Sequence, residues 1–195
     1  MSADANLAAV IDKTTTLLAG VRPEQLALPT PCPDYDVAAL TDHLVGWLRM
    51  FAARAAGAEH HEDPGAYKCG AHPVAEFAAA GRQAVAAFRS GAADRPLRMT
   101  SSELPGSMVL GMMLIEYVGH GWDLAVATGQ PVPYTEPEAQ AALEAARGML
   151  MPAYRGPGQT FGFEVEVGAD TTAVDRLVAF IGRDPNWPLE HTRTR

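Results

Sequence analysis

The chain has 195 residues, 48% of them apolar and 19% charged, which is enough for one domain with a real core and too hydrophobic for extensive disorder. Its formal net charge of −8 and its lack of a basic stripe argue against nucleic acid and anionic membrane surfaces as partners. No stretch approaches the roughly 20 apolar residues of a membrane span. The start, Met1-Ser-Ala-Asp-Ala-Asn6, lacks the basic start and apolar run of a secretory leader, so a cytoplasmic location is expected.

In chain order, Leu7, Val10, Ile11, Leu17 and Leu18 share one helical face, and Gly20 is a plausible stop. The three prolines of Leu28-Pro-Thr-Pro-Cys-Pro-Asp34 forbid helix. Asp36 is placed to cap a long second helix whose inward stripe is Val37, Leu40, Leu44, Trp47, Leu48, Phe51 and Ala55, with His43 on that stripe. Residues 57–73 read as loop. A third helix carries Val74, Phe77, Val85 and Phe88, and residues 92–107 read as irregular or partly extended. The fourth helix is expected from about Ser107 to Thr128, ended by Gly129 and Pro131. Thr135-x-x-Glu138 is a capping box for a fifth helix that Pro152 terminates. Phe161 to Val167 alternates and reads as the clearest strand, with Leu97 to Glu103 as its partner. Asp170 or Thr171 is expected to cap a last helix bearing Val174, Leu177, Val178 and Ile181. Four long amphipathic segments point to a helical bundle, with the strand and the last helix packed outside it. Cys32 and Cys69 form no Cys-x-x-Cys pair and are expected to be free thiols.

The chemistry concentrates in Glu116-Tyr-Val-Gly-His120-Gly-Trp-Asp123. Glu116 and His120 are one helical turn apart on one face, and Asp123 continues the line. They sit in a segment apolar nearly all round, where a carboxylate and an imidazole are costly without partners. His43 is the third member. Together His43, Glu116 and His120 suit a divalent ion: zinc first, with nickel, iron and manganese as alternatives. Three protein ligands leave a position for water or substrate, as catalytic zinc sites do. Asp123 is placed to orient a ligand histidine or to assist proton transfer. A hydrogen-bonded core cluster without metal is the plain alternative. His60 and His61, among Glu59, Glu62 and Asp63, read as a solvated loop. Glycine and alanine along the helices would permit a homodimer.

Pro29-Thr-Pro-Cys-Pro-Asp-Tyr-Asp-Val37 running into Leu40-Thr-Asp-His43-Leu resembles the opening signature of the DinB-like metal-binding bundles. It resembles above all the branch that includes mycothiol-dependent maleylpyruvate isomerase. Glu116-Tyr-Val-Gly-His-Gly-Trp-Asp-Leu-Ala125 looks like the second signature of that branch, and Asp175 to Trp187 is similar to the ending of its uncharacterised members. The resemblance implies an up-down-down-up four-helix bundle over residues 1–155, with a short strand–helix extension over 156–195. It implies a divalent metal on His43, Glu116 and His120. It also implies a low-molecular-weight thiol of the mycothiol type and a small electrophile as substrates, in S-transfer or isomerisation. No residue matches a binder of maleylpyruvate, and some relatives have no established activity. A non-catalytic metal-binding bundle active in stress response is therefore the alternative function.

Overall fold

The computed structural model describes residues 3–99, 102–168 and 170–187. Its helices are α1 (Ala3–Ala19), α2 (Val37–Ala55), α3 (Pro73–Arg89), α4 (Gly106–Thr128), α5 (Glu136–Met149) and α6 (Ala173–Phe180). The molecule is mainly helical, as expected. α1 touches α3 and α4, and α2 touches the same two, so the four long helices close a ring. α5 packs on α4, and α6 packs on α5 with a smaller contact to α4. Helix α4 thus has neighbours on most of its circumference, which explains a sequence apolar nearly all round.

The core is built from the stripes read in the sequence. Leu7 and Val10 of α1, Leu40, Leu44 and Leu48 of α2, Phe77 of α3 and Tyr117 of α4 are fully buried. Phe77 and Tyr117 meet edge to face at 5.6 Å. Each such side chain contributes on the order of 1.5–3 kcal/mol by leaving water. None of the described helices is long and apolar enough to cross a membrane.

The helix ends follow their caps. The Asp36 carboxylate accepts from the Ala39 N–H at 2.8 Å. Gly129 closes α4 in the left-handed region at φ +68°. The Thr135/Glu138 capping box opens α5. Glu138 does more than cap, because the Lys13 ammonium of α1 lies 2.6 Å from its carboxylate. Burial pushes the Glu138 pKa up, but Lys13 and the Thr135 N–H outweigh it and hold the group below the ordinary value. A carboxylate pKa lowered by folding stabilises above its unfolded value, about 4.3, and loses that contribution as pH falls through the folded value. Glu138→Gln is therefore expected to cost about 1–2 kcal/mol in urea unfolding at neutral pH. The cost should shrink toward zero in acid below the folded pKa.

Two expectations about the irregular segments are corrected. Phe161 to Val167 is not a strand: it makes one bridge, Arg155 to Phe161, and then runs beside α6, where the Val165 N–H donates to the Ala179 carbonyl at 3.0 Å. Alternation favours a strand only where a neighbouring strand completes the ladder, and here the neighbour is a helix end. Phe163, 66% exposed, also breaks the pattern. The expected partner folds back on itself instead. β1 (Pro96–Arg98) and β2 (Glu103–Pro105) form an antiparallel pair with Leu97 opposite Leu104, while Thr100 and Ser101 lie outside the described residues. The second correction is the cap of α6, which is Thr172, accepting from the Asp175 N–H, rather than Asp170 or Thr171.

Candidate metal centre

His43 on α2 and Glu116 and His120 on α4 face one another where these two helices pack together. The His43 Nε2 lies 2.6 Å from Glu116 Oε1, and His120 Nε2 lies 3.9 Å from the same oxygen. The two imidazoles meet edge to face at 4.9 Å. One ligand atom from each of the three residues falls within 4.8 Å of the others. The three positions chosen from spacing are therefore brought together, from two helices 73 residues apart in sequence.

The far nitrogen of each histidine is already engaged. His120 Nδ1 lies 2.9 Å from Asp123 Oδ2. A proton on Nδ1 is donated to that carboxylate oxygen, which leaves Nε2 turned toward Glu116 and His43. The Tyr35 hydroxyl lies 2.9 Å from His43 Nδ1, and the two rings pack at 4.7 Å. Its loop is held by the Thr30 hydroxyl, which lies 2.9 and 2.8 Å from the carbonyls of Cys32 and Tyr35. Each histidine thus has an outer partner that fixes its ring, the arrangement found around metal-ligating imidazoles.

Asp123 is fully buried and pairs with Arg183, 8% exposed, whose Nη2 donates to Oδ2 at 3.3 Å and Nε to Oδ1 at 3.5 Å. Burial opposes the Arg183 charge, yet the Asp123 carboxylate holds its pKa above the ordinary guanidinium value. Glu116 is pushed up by burial and pulled further down by His120, His43 and Arg183, so it stays ionised at neutral pH. Sequence patterning assigns no role at the site to Cys32, Tyr35 or Arg183. The signal for Arg183 is the buried carboxylate itself, which demands a cation.

The glycines around His120 are packing requirements. A Cβ on Gly121 would lie 1.7 Å from the Tyr134 hydroxyl oxygen, and one on Gly119 would lie 2.8 Å from Ile181 Cδ1. Tyr134 donates to the Tyr117 carbonyl at 2.8 Å. Gly121→Ala must break that bond or displace α4, at a cost of about 1–3 kcal/mol, read as a lowered midpoint in thermal unfolding.

Cys32, His120 and Asp123 form a second group with ligand-competent atoms. Here Asp123 is already committed to His120 and Arg183, and burial pushes the Cys32 thiol up and away from the thiolate a metal needs. The His43 group is the better donor set. His61 pairs with Glu59 at 3.0 Å in an exposed loop, in line with the solvated reading of that cluster.

The three ligand candidates border a cavity of about 690 Å³ between the helical ring, α5 and the C-terminal segment. Trp47, Phe51, Met112, Ile115 and Phe161 supply much of its wall. Trp122 is buried in the core and does not line the cavity.

Fold and site together define a helical bundle with a His/Glu/His centre opening on an apolar cavity. The chain belongs to the mycothiol maleylpyruvate isomerase N-terminal domain family, whose model matches residues 7–125 and so runs from within α1 to within α4 and takes in all three candidate ligands. Two relatives from Mycobacterium tuberculosis, the uncharacterised proteins Rv0738 of strain H37Rv and MT0763 of strain CDC 1551, are each 33% identical over 172 residues. That match spans 88% of this chain and 92% of theirs. No solved structure matches at a significant level.

Proposed function

We propose that this chain is a divalent-metal-dependent thiol enzyme, an S-transferase or isomerase that uses mycothiol or a similar low-molecular-weight thiol. The supporting observation is the convergence of His43, Glu116 and His120 at the wall of an open cavity of about 690 Å³. Two imidazole nitrogens and one carboxylate oxygen are a donor set that zinc, nickel, iron and manganese accept, and zinc suits it best. The cavity beside the group favours an enzyme over a structural site, whose shell would be closed. A divalent ion held there would supply the positive charge that keeps a thiol ionised at neutral pH.

The remaining roles fall to the chain's own residues. Glu116, ionised, offers an anionic donor and offsets part of the ion's charge. Asp123 is a positioning residue: from behind His120 it holds the ring with Nε2 forward. Tyr35 does the same for His43. Arg183 anchors Asp123 through its guanidinium. The apolar wall excludes water from the attacking sulfur. In this reading residues 1–155 form the catalytic bundle, and residues 156–195 form an extension that steadies it through Arg183. Cys32 and Cys69 remain free thiols, in keeping with a cytoplasmic setting.

The test is direct. Zinc-loaded protein is mixed with mycothiol and either monochlorobimane, which reports S-transfer, or maleylpyruvate, which reports isomerisation. One of the two reactions should exceed its uncatalysed rate and fall to background after chelation or in His120→Ala. Background rates in both, with every metal offered, would remove this reading.

A further inference from the structure

The cavity beside His43, Glu116 and His120 has a composition that selects among electrophiles. Its lining is dominated by methionine, aromatic and aliphatic side chains, among them Met108, Met112, Trp47 and Phe51. Among the described residues that line it, Arg183 is the one permanently cationic side chain, and it is committed to Asp123. Arg155, next in sequence to the lining Tyr154, lies over the Phe180 ring at 4.2 Å and donates to the Phe180 carbonyl. The acidic groups on the lining, Asp34 and Glu116, add negative charge. A dicarboxylate such as maleylpyruvate would therefore lose its hydration without gaining a free cation.

From this charge balance we infer that the cavity takes a neutral, apolar electrophile, of the aryl or alkyl halide type, rather than a carboxylate. The inference rests on the thiol-transfer reading in one respect. A divalent ion, the Glu116 carboxylate and one thiolate sum to zero charge, so the loaded centre leaves no net positive charge to attract an anion. The flexible methionines suit substrates of varied apolar shape. In the reaction, the thiol releases its proton to solvent and its sulfur forms a bond to the electrophilic carbon. The carbon–halogen bond breaks, and halide leaves with the electron pair. No oxidant or reductant is needed.

Two unreactive probes test the preference without turnover. Metal-loaded protein saturated with mycothiol is titrated with 1,3-dinitrobenzene and with 3,5-dinitrobenzoate, following saturable quenching of tryptophan fluorescence. The neutral probe should bind at least tenfold more tightly, and Trp47→Phe should remove most of its quenching, because Trp47 lines the cavity. Equal or tighter binding of the benzoate, no binding of either probe, or undiminished quenching in Trp47→Phe would each overturn the inference. Turnover of 1-chloro-2,4-dinitrobenzene with mycothiol is measured in parallel. Neutral-probe binding without product leaves the cavity preference standing and removes the thiol-transfer reading instead.

Discussion

Alanine at His120 is expected to cut the affinity for a divalent ion by more than two orders of magnitude. His120 offers one of three convergent donors, and its ring is already oriented by Asp123, so little ordering is lost when an ion is taken up. Losing an outer partner of a ligand typically costs roughly 10–100-fold, and losing the ligand itself must cost more. Tyr35→Phe, which removes only the hydroxyl beside His43 Nδ1, should fall in that smaller range. The comparison is made by competition against a chromophoric chelator, with the fold checked by circular dichroism. Equal losses for Tyr35→Phe and His120→Ala, or no loss for either, would contradict the assignment.

The second large effect concerns stability. Asp123→Ala leaves the Arg183 guanidinium, 8% exposed, without its carboxylate. Removing one partner of a buried pair costs about 3–5 kcal/mol, because a charge is left where water cannot reach it. In a chain of this size that corresponds to a fall in midpoint temperature on the order of 10 °C. The double variant Asp123→Leu with Arg183→Met should recover most of the loss, since apolar side chains of similar bulk tolerate the site. Urea unfolding of Asp123→Leu, of Arg183→Met and of the double gives the coupling energy. Additive losses would mean that the two residues act separately.

Much of this architecture is legible in the amino-acid sequence. The stripes on α1 to α3 point to the bundle because burial on one face demands that spacing, and Asp36, Gly129 and the Thr135/Glu138 pair mark helix ends by capping chemistry. The candidate ligand group is legible because two polar groups one turn apart cannot sit on a buried helix without partners. Its outer partners are less so. Tyr35 reaches His43 from a proline-rich loop and Arg183 reaches Asp123 from 60 residues away, and no local periodicity encodes such contacts. Phe161 to Val167 misleads for a related reason. Alternation reports what a strand would bury, while pairing depends on what lies alongside, and here that is the end of α6.

The same reasoning separates what family membership implies from what this cavity can do. The family match covers residues 7–125, whereas Arg183 and part of the cavity wall, including Phe161 and Tyr154, lie beyond it. Residues outside the matched region therefore hold Asp123 in place and shape the space beside the ligand group.

The most direct measurement is the metal content of protein purified without an affinity tag, with X-ray absorption at the edge of any metal found. One divalent ion per chain is predicted, with two imidazoles and a carboxylate around it, and its loss from the His43→Ala, Glu116→Ala and His120→Ala variants. Folded protein that takes up no divalent ion, or that holds one equally well in all three variants, would contradict the account.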